Sequence, residues 1–475
     1  MEQITKPHCG ARLDRLPDCR WHSSMFAIVA FGLLVCWSNA VGGLILAQLK
    51  ALGWTDNSTT ATFSAITTAG MFLGALVGGI IGDKTGRRNA FILYEAIHIA
   101  SMVVGAFSPN MDFLIACRFV MGVGLGALLV TLFAGFTEYM PGRNRGTWSS
   151  RVSFIGNWSY PLCSLIAMGL TPLISAEWNW RVQLLIPAIL SLIATALAWR
   201  YFPESPRWLE SRGRYQEAEK VMRSIEEGVI RQTGKPLPPV VIADDGKAPQ
   251  AVPYSALLTG VLLKRVILGS CVLIAMNVVQ YTLINWLPTI FMTQGINLKD
   301  SIVLRKVRTS PFPRLFAPSL NTMSMFGAPF GIFIAMLVMD KIPRKTMGVG
   351  LLILIAVLGY IYSLQTSMLL ITLIGFFLIT FVYMYVCYAS AVYVPEIWPT
   401  EAKLRGSGLA NAVGRISGIA APYAVAVLLS SYGVTGVFIL LGAVSIVVAI
   451  AIATIGIETK GVSVESLSID AVANK

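Results

Sequence analysis

Twelve apolar runs dominate this chain, each about 20 residues long and bounded by charged or turn-forming residues. A run of that length has one well-defined use. It forms an α-helix that satisfies its own backbone hydrogen bonds while crossing the hydrocarbon of a bilayer. The runs lie near residues 25–46, 61–81, 89–107, 112–137, 147–173 and 182–201 (spans one to six), and near 264–291, 321–339, 347–364, 368–394, 408–429 and 434–455 (spans seven to twelve). Only 13% of the 475 residues are charged, against about 25% in a typical soluble domain, which argues against a soluble enzyme. The net charge of +13 would suit nucleic acid, but the basic residues sit in loops that flank the spans, so no nucleic-acid partner is expected. The first run follows a polar leader and is about 22 residues long, too long for a signal-peptide core, and reads as a retained helix.

Loop charges orient the chain, because Lys and Arg resist translocation during insertion. With residues 1–24 inside, the inner segments hold 27 of the 37 basic residues. Both termini are therefore expected in the cytoplasm, with an N-terminal segment 1–24, a bundle 25–202, a central loop 203–263, a second bundle 264–457 and a tail 458–475. Within the central loop, residues 213–229 (GRYQEAEKVMRSIEEGV) have helical spacing. One outer loop breaks the charge rule: residues 305–320 (RKVRTSPFPRLFAPSL) hold four basic residues and three prolines, and read as an insertion at the outer end of span eight.

The two bundles repeat. Span two ends in Gly79-Ile80-Ile81-Gly82-Asp83-Lys84-Thr85-Gly86-Arg87-Arg88, and span eight in Met336-Leu337-Val338-Met339-Asp340-Lys341-Ile342-Pro343-Arg344-Lys345. Asp83 and Asp340 are 257 residues apart; Glu138 and Glu396, after spans four and ten, are 258 apart. Two signals at nearly one offset give the fold class: an all-α polytopic membrane protein, twelve transmembrane helices in two pseudo-symmetric six-helix bundles.

These segments resemble the signatures of the major facilitator superfamily, and the resemblance covers nearly the whole chain. The 79–88 segment is similar to that family's loop between spans two and three. Pro203-Glu204-Ser205-Pro206-Arg207-Trp208, Glu138-Tyr139-Met140-Pro141 with Arg145-Gly146, Trp180-Arg181 and Glu458-Thr459-Lys460-Gly461 resemble motifs of sugar porters and of bacterial metabolite:proton symporters. The look-alikes are inner-membrane transporters of enteric bacteria. What the resemblance implies is secondary transport by alternating access, without a cofactor, by a monomer acting on a small organic solute and protons. It also implies a cytoplasmic gate of ion pairs from Asp83, Arg87, Glu138, Arg145, Glu204 and Arg207, mirrored by Asp340, Arg344, Glu396, Lys403 and Arg405. Exposed ion pairs contribute only about 0–1 kcal/mol each, which suits a latch that opens every cycle.

Ionisable residues at membrane depth point to function by default. Arg118 lies in span four ahead of Gly122, Gly124 and Gly126, Arg415 lies midway along span eleven, and Glu95 and His98 share a face of span three one turn apart. In proton-coupled sugar porters the counterpart of Arg118 faces an acidic residue in span one; here that stretch reads Trp37-Ser38-Asn39-Ala40. Either the protein is a facilitator, or coupling has moved to Glu95 and His98, and a satisfied structural pair remains open. Span seven offers Asn277, Gln280, Tyr281, Asn285 and Trp286 in place of the usual hexose-binding glutamines, and span ten offers Tyr385 among other aromatics. Asn39, Arg118, Asn277, Gln280, Tyr281, Trp286, Tyr385 and Arg415 are thus the candidate solute contacts. Two arginines favour a substrate with a carboxylate, such as a sugar acid. An enzyme or ATP-driven pump is not expected: there is no P-loop, no zinc-type histidine motif and no metal-ligand spacing among the seven cysteines and three histidines. A uniporter and a metabolite or drug exporter are the competing transport readings.

Overall fold

The structure, a computed structural model, describes residues 7–17, 19–36, 38–140, 145–170, 173–240, 254–293, 323–339, 341–398 and 402–459. Every described element is helical. Nine helical stretches are long and apolar enough to cross a bilayer, from Arg20–Ala51, which includes the undescribed residue 37, to Arg405–Ile455. The last of these holds two crossings, because Gly433 (φ 65, ψ −159) breaks Lys403–Ile455 near its middle, in a region that only glycine enters at little cost. Span five appears as two shorter helices, Arg145–Asn157 and Ser159–Leu170, and span eight as Gly327–Val338. The segment 305–320 lies outside the described residues.

Two spans depart from the continuous helices expected of them. Span one is interrupted: Arg20–Val35 ends as Cys36 turns to ψ 43, and Ser38–Ala51 begins afresh. No proline or glycine stands at the break, so hydropathy gives no sign of it. Span five breaks at Trp158, three residues before Pro161, whose ring nitrogen has no hydrogen to give the carbonyl of Asn157. Span ten is locally widened, passing from Met368–Cys387 into a π-helical turn at Tyr388–Tyr393. Such turns recur at functional sites.

The chain divides into two compact units, one of residues 1–38, 70–159 and 184–247, the other of 39–69, 160–183 and 248–475. In the first, small residues set the packing, as expected where lipid gives helices no hydrophobic reason to associate. Gly70, Gly74 and Gly78 of span two lie against the backbone of Phe119, Val123 and Ala127 in span four. Gly126 meets Met71 in return, and Gly124 lies against His98. In the second unit Gly327 and Gly331 of span eight lie against Phe376 and Thr380 of span ten. These contacts are the same ones 257 residues on: Gly70–Phe119 becomes Gly327–Phe376, and Gly74–Val123 becomes Gly331–Thr380. The duplication legible in the loop charges is therefore also a duplication of helix packing. Large apolar side chains such as Leu76, Ile189, Val427 and Val447 are more than half exposed, as a lipid-facing surface requires.

Candidate functional site

At the end of the first unit that carries Asp83, span three starts with backbone N–H groups that its own helix cannot satisfy. Glu204, just after span six, supplies the acceptor. Its Oε1 takes hydrogen bonds from the N–H of Arg87 (2.7 Å) and of Arg88 (3.2 Å). Gly86 precedes them with φ 97, and a Cβ there would collide with the Glu204 carboxylate. Arg87 Nη1 donates to Asp83 Oδ1 at 2.7 Å. Trp208 Nε1 and Arg212 Nη2 both donate to the Asp83 carbonyl, at 2.7 and 2.6 Å. Arg207 takes a different place from the one expected of it: Nη2 pairs with Asp14 at 2.9 Å, 193 residues away in sequence, instead of extending the Asp83–Glu204 network.

The second unit repeats this arrangement. Glu458, just after span twelve, accepts from the N–H of Arg344 (2.8 Å) and Lys345 (3.1 Å) at the start of span nine. Arg344 forms a two-pronged pair with Glu396 (3.1 and 3.2 Å), and Thr459 Oγ1 donates to the same carboxylate at 2.6 Å. Such charge-assisted, bidentate bonds are the strong kind. Where the first unit uses Gly86, the second has Pro343, 257 positions later and with φ −57. Glu458 was absent from the gate read from sequence. Its position 254 residues after Glu204, close to the repeat offset, is the signal that identifies it. Arg405 is half-buried at the start of span eleven. Asp340 lies outside the described residues, as do the side chains of Glu138, Arg145 and Lys403.

Within span three, Glu95 and His98 are fully buried, with Glu95 Oε2 and His98 Nδ1 3.5 Å apart. Neither carboxyl oxygen of Glu95 has a hydrogen-bond partner among the described residues. Cys36 Sγ, at the break in span one, lies 3.8 Å from His98 Nδ1. Arg118 of span four is 1% exposed, and its Nη1 lies 3.3 Å from Met121 Sδ.

In the second unit, span seven (Gly260–Thr293) carries a polar face toward spans five, ten and eleven. Tyr160 and Tyr383 meet edge to face with ring centroids 5.4 Å apart, and Gln280 and Tyr281 lie within electrostatic reach of both. Tyr383 is fully buried, with its hydroxyl facing Tyr160 and Gln280. Gly414 and Gly418 of span eleven bring its backbone against Asn277 and Tyr281, with Thr68 of span two beside Gly418. Arg415 stands between those glycines, half-buried, with Nη1 buried and unbonded among the described residues. Several expected contacts are otherwise engaged. Asn277 Nδ2 donates to Leu273 O at 2.7 Å, and the Tyr385 hydroxyl donates to Val272 O at 3.2 Å, tying span ten to span seven. Trp286 is fully buried. The side chain of Asn39 lies outside the described residues. Tyr160 and Thr68 were not anticipated: Tyr160 sits beside the Pro161 break, and sequence gives no hint that Thr68 faces span eleven.

Membrane-length helices, a duplicated packing scheme and duplicated carboxylate caps define a two-fold-repeated helical membrane protein with polar residues held in its apolar interior. The sequence profile of the Major Facilitator Superfamily matches residues 26–422. The chain belongs to that superfamily, and is a multi-pass transport protein rather than an enzyme. It is 96% identical over 475 residues, all of both chains, to the "Putative metabolite transport protein YdjK" of Escherichia coli strain K12. It is 43% identical over 471 residues, 98% of this chain and 99% of the relative, to the inner membrane metabolite transport protein YdjE of the same strain. Among solved structures it is similar in fold to the inward open conformation of the xylose transporter XylE from E. coli (TM-score 0.72, 17% identity, covering 94% of this chain and 99% of that one).

Proposed function

We propose that the protein is a proton symporter of a small polar solute bearing a carboxylate, a sugar acid or a related organic acid. It would work across the bacterial inner membrane by alternating access, as a monomer with both termini in the cytoplasm. One observation carries the coupling: Glu95 is buried with neither oxygen hydrogen-bonded among the described residues and His98 3.5 Å away. A carboxylate in apolar surroundings needs a proton or a counter-charge, and a pair of this kind can exchange one for the other during a cycle. The repeat strengthens the point. The positions 257 residues on are Leu352 and Ile355, both buried and both apolar. Helix packing alone is thus served there by hydrocarbon.

The solute class rests on Arg415, whose Nη1 is buried and unbonded among the described residues, on the span whose Gly414 and Gly418 pack against Asn277 and Tyr281 of span seven. Its guanidinium suits a carboxylate; the tyrosine hydroxyls and Gln280 suit a polyol or ring. The test is an uptake screen over sugars, sugar acids and aromatic acids, comparing overexpressing cells with a deletion strain. Accumulation of an acid, abolished by Arg415→Ala at unchanged membrane abundance, supports the reading. Accumulation of neutral sugars alone, or normal uptake by the variant, removes it.

A further inference from the structure

The short helix Cys9–Asp14 has six residues, far below the length at which a helix holds itself together in water. It is held from outside. Glu210 accepts from the N–H of His8 (3.1 Å) and of Cys9 (2.8 Å), capping the helix from a different part of the chain. Cys9, Leu13 and Leu16 are completely buried against Trp208, Leu209, Ala218, Met222, Ile225 and Val229. Arg12 is paired with both Glu219 and Glu226, Arg15 Nη2 with Glu226 at 2.6 Å, and Arg207 with Asp14. Residues 7–16 are thus fastened to helices Pro206–Ser211 and Tyr215–Thr233 by an apolar seam and a row of charges.

Those two helices in turn hold the ends of the spans. Trp208 and Arg212 both bond the Asp83 carbonyl at the end of span two. Gln232 accepts from the N–H of Trp21 in span one (3.1 Å), and just ahead of the first pad helix Pro203 O accepts from the Tyr139 hydroxyl of span four (2.6 Å). Among the described residues, the corresponding end of the second unit has the Glu458 cap and the Arg344–Glu396 pair without any such pad.

We propose that residues 7–16 act as a releasable strap: docked on the two pad helices, they keep the Asp83–Arg87 loop in its present arrangement, and their release loosens that loop. The contacts form one relay, from Arg12 through Glu226 and the apolar seam to Trp208 and Arg212, and from these to Asp83. The seam is small, so the charges decide whether the strap stays down. Burial raises the Glu226 carboxyl, but Arg12 and Arg15 outweigh it and leave it below its ordinary value. The strap's ionic hold is therefore complete at neutral pH and is lost as pH falls through that lowered value. Glu219, on the same helix, shares Arg12.

The test needs no solute: hydrogen–deuterium exchange of the full-length protein in lipid nanodiscs. Arg12→Ala should speed exchange roughly tenfold or more in residues 7–16, and by a smaller factor in 206–212 and 83–89. Residues 341–348 should be unchanged. The conservative Arg12→Lys, which keeps a cation between Glu219 and Glu226, should retain most of the protection in all three segments, which a variant that merely misfolds would not do. Loss of protection in 7–16 with 83–89 unaltered would overturn the proposal, as would equal loosening of 341–348. Neither result bears on the proposed solute or on proton coupling.

Discussion

Spans three and nine stand at corresponding points of an internal duplication, and the comparison separates scaffold from function. Each begins at a pair of backbone N–H groups capped by a glutamate that follows the last span of its half, Glu204 or Glu458. The spans beside them, two with four and eight with ten, touch through glycines at one offset. Yet in the interior one helix carries Glu95 and His98 where the other carries Leu352 and Ile355. Packing and caps were kept in both halves. The departure is a buried ionisable pair, costly for stability, and the proposed proton coupling would give it a function.

The largest stability effect should come from the apolar member of the comparison. Leu352 is fully buried, so Leu352→Ala should lower stability by about 2–5 kcal/mol through the cavity it leaves, read as a drop in unfolding temperature in detergent. The pH profile of transport should not move. A changed profile would mean that span nine also takes part in coupling.

Next, a β-branched side chain at Gly70 or at Gly331 would press on a carbonyl of the neighbouring helix, which cannot turn aside. Gly70→Val and Gly331→Val should each cost about 1–3 kcal/mol; one tolerated and the other not would show that the repeat is not a repeat of packing. The two latches should differ more modestly. Arg344→Ala removes a 7%-exposed side chain from a bidentate pair and should cost about 1.5–3 kcal/mol. Asp83→Asn affects a carboxylate 63% exposed and should cost below about 1 kcal/mol. Equal losses in thermal melts would contradict that asymmetry.

Much of the architecture was legible because bilayer length and loop charge are written in local composition. The duplication showed in Asp83 and Asp340, and the break between spans eleven and twelve fell near Gly433. What escaped were features set by distant partners. The break in span one at Cys36 has no local breaker and lies against His98. Arg207 looked like a neighbour of Glu204, but finds Asp14 on the docked segment. Trp286 and Tyr385 were singled out by residue type; the first is buried and the second spends its hydroxyl on Val272. Tyr160 comes to Tyr383 only once spans five and ten are packed.

The central claim is that Glu95 carries the coupled proton. The direct measurement is external pH when a transported solute is added to de-energised cells expressing either the native protein or Glu95→Gln. Native cells should show transient alkalinisation; the variant should show none while still exchanging labelled solute across the membrane. Alkalinisation by Glu95→Gln equal to that of the native protein would contradict the account.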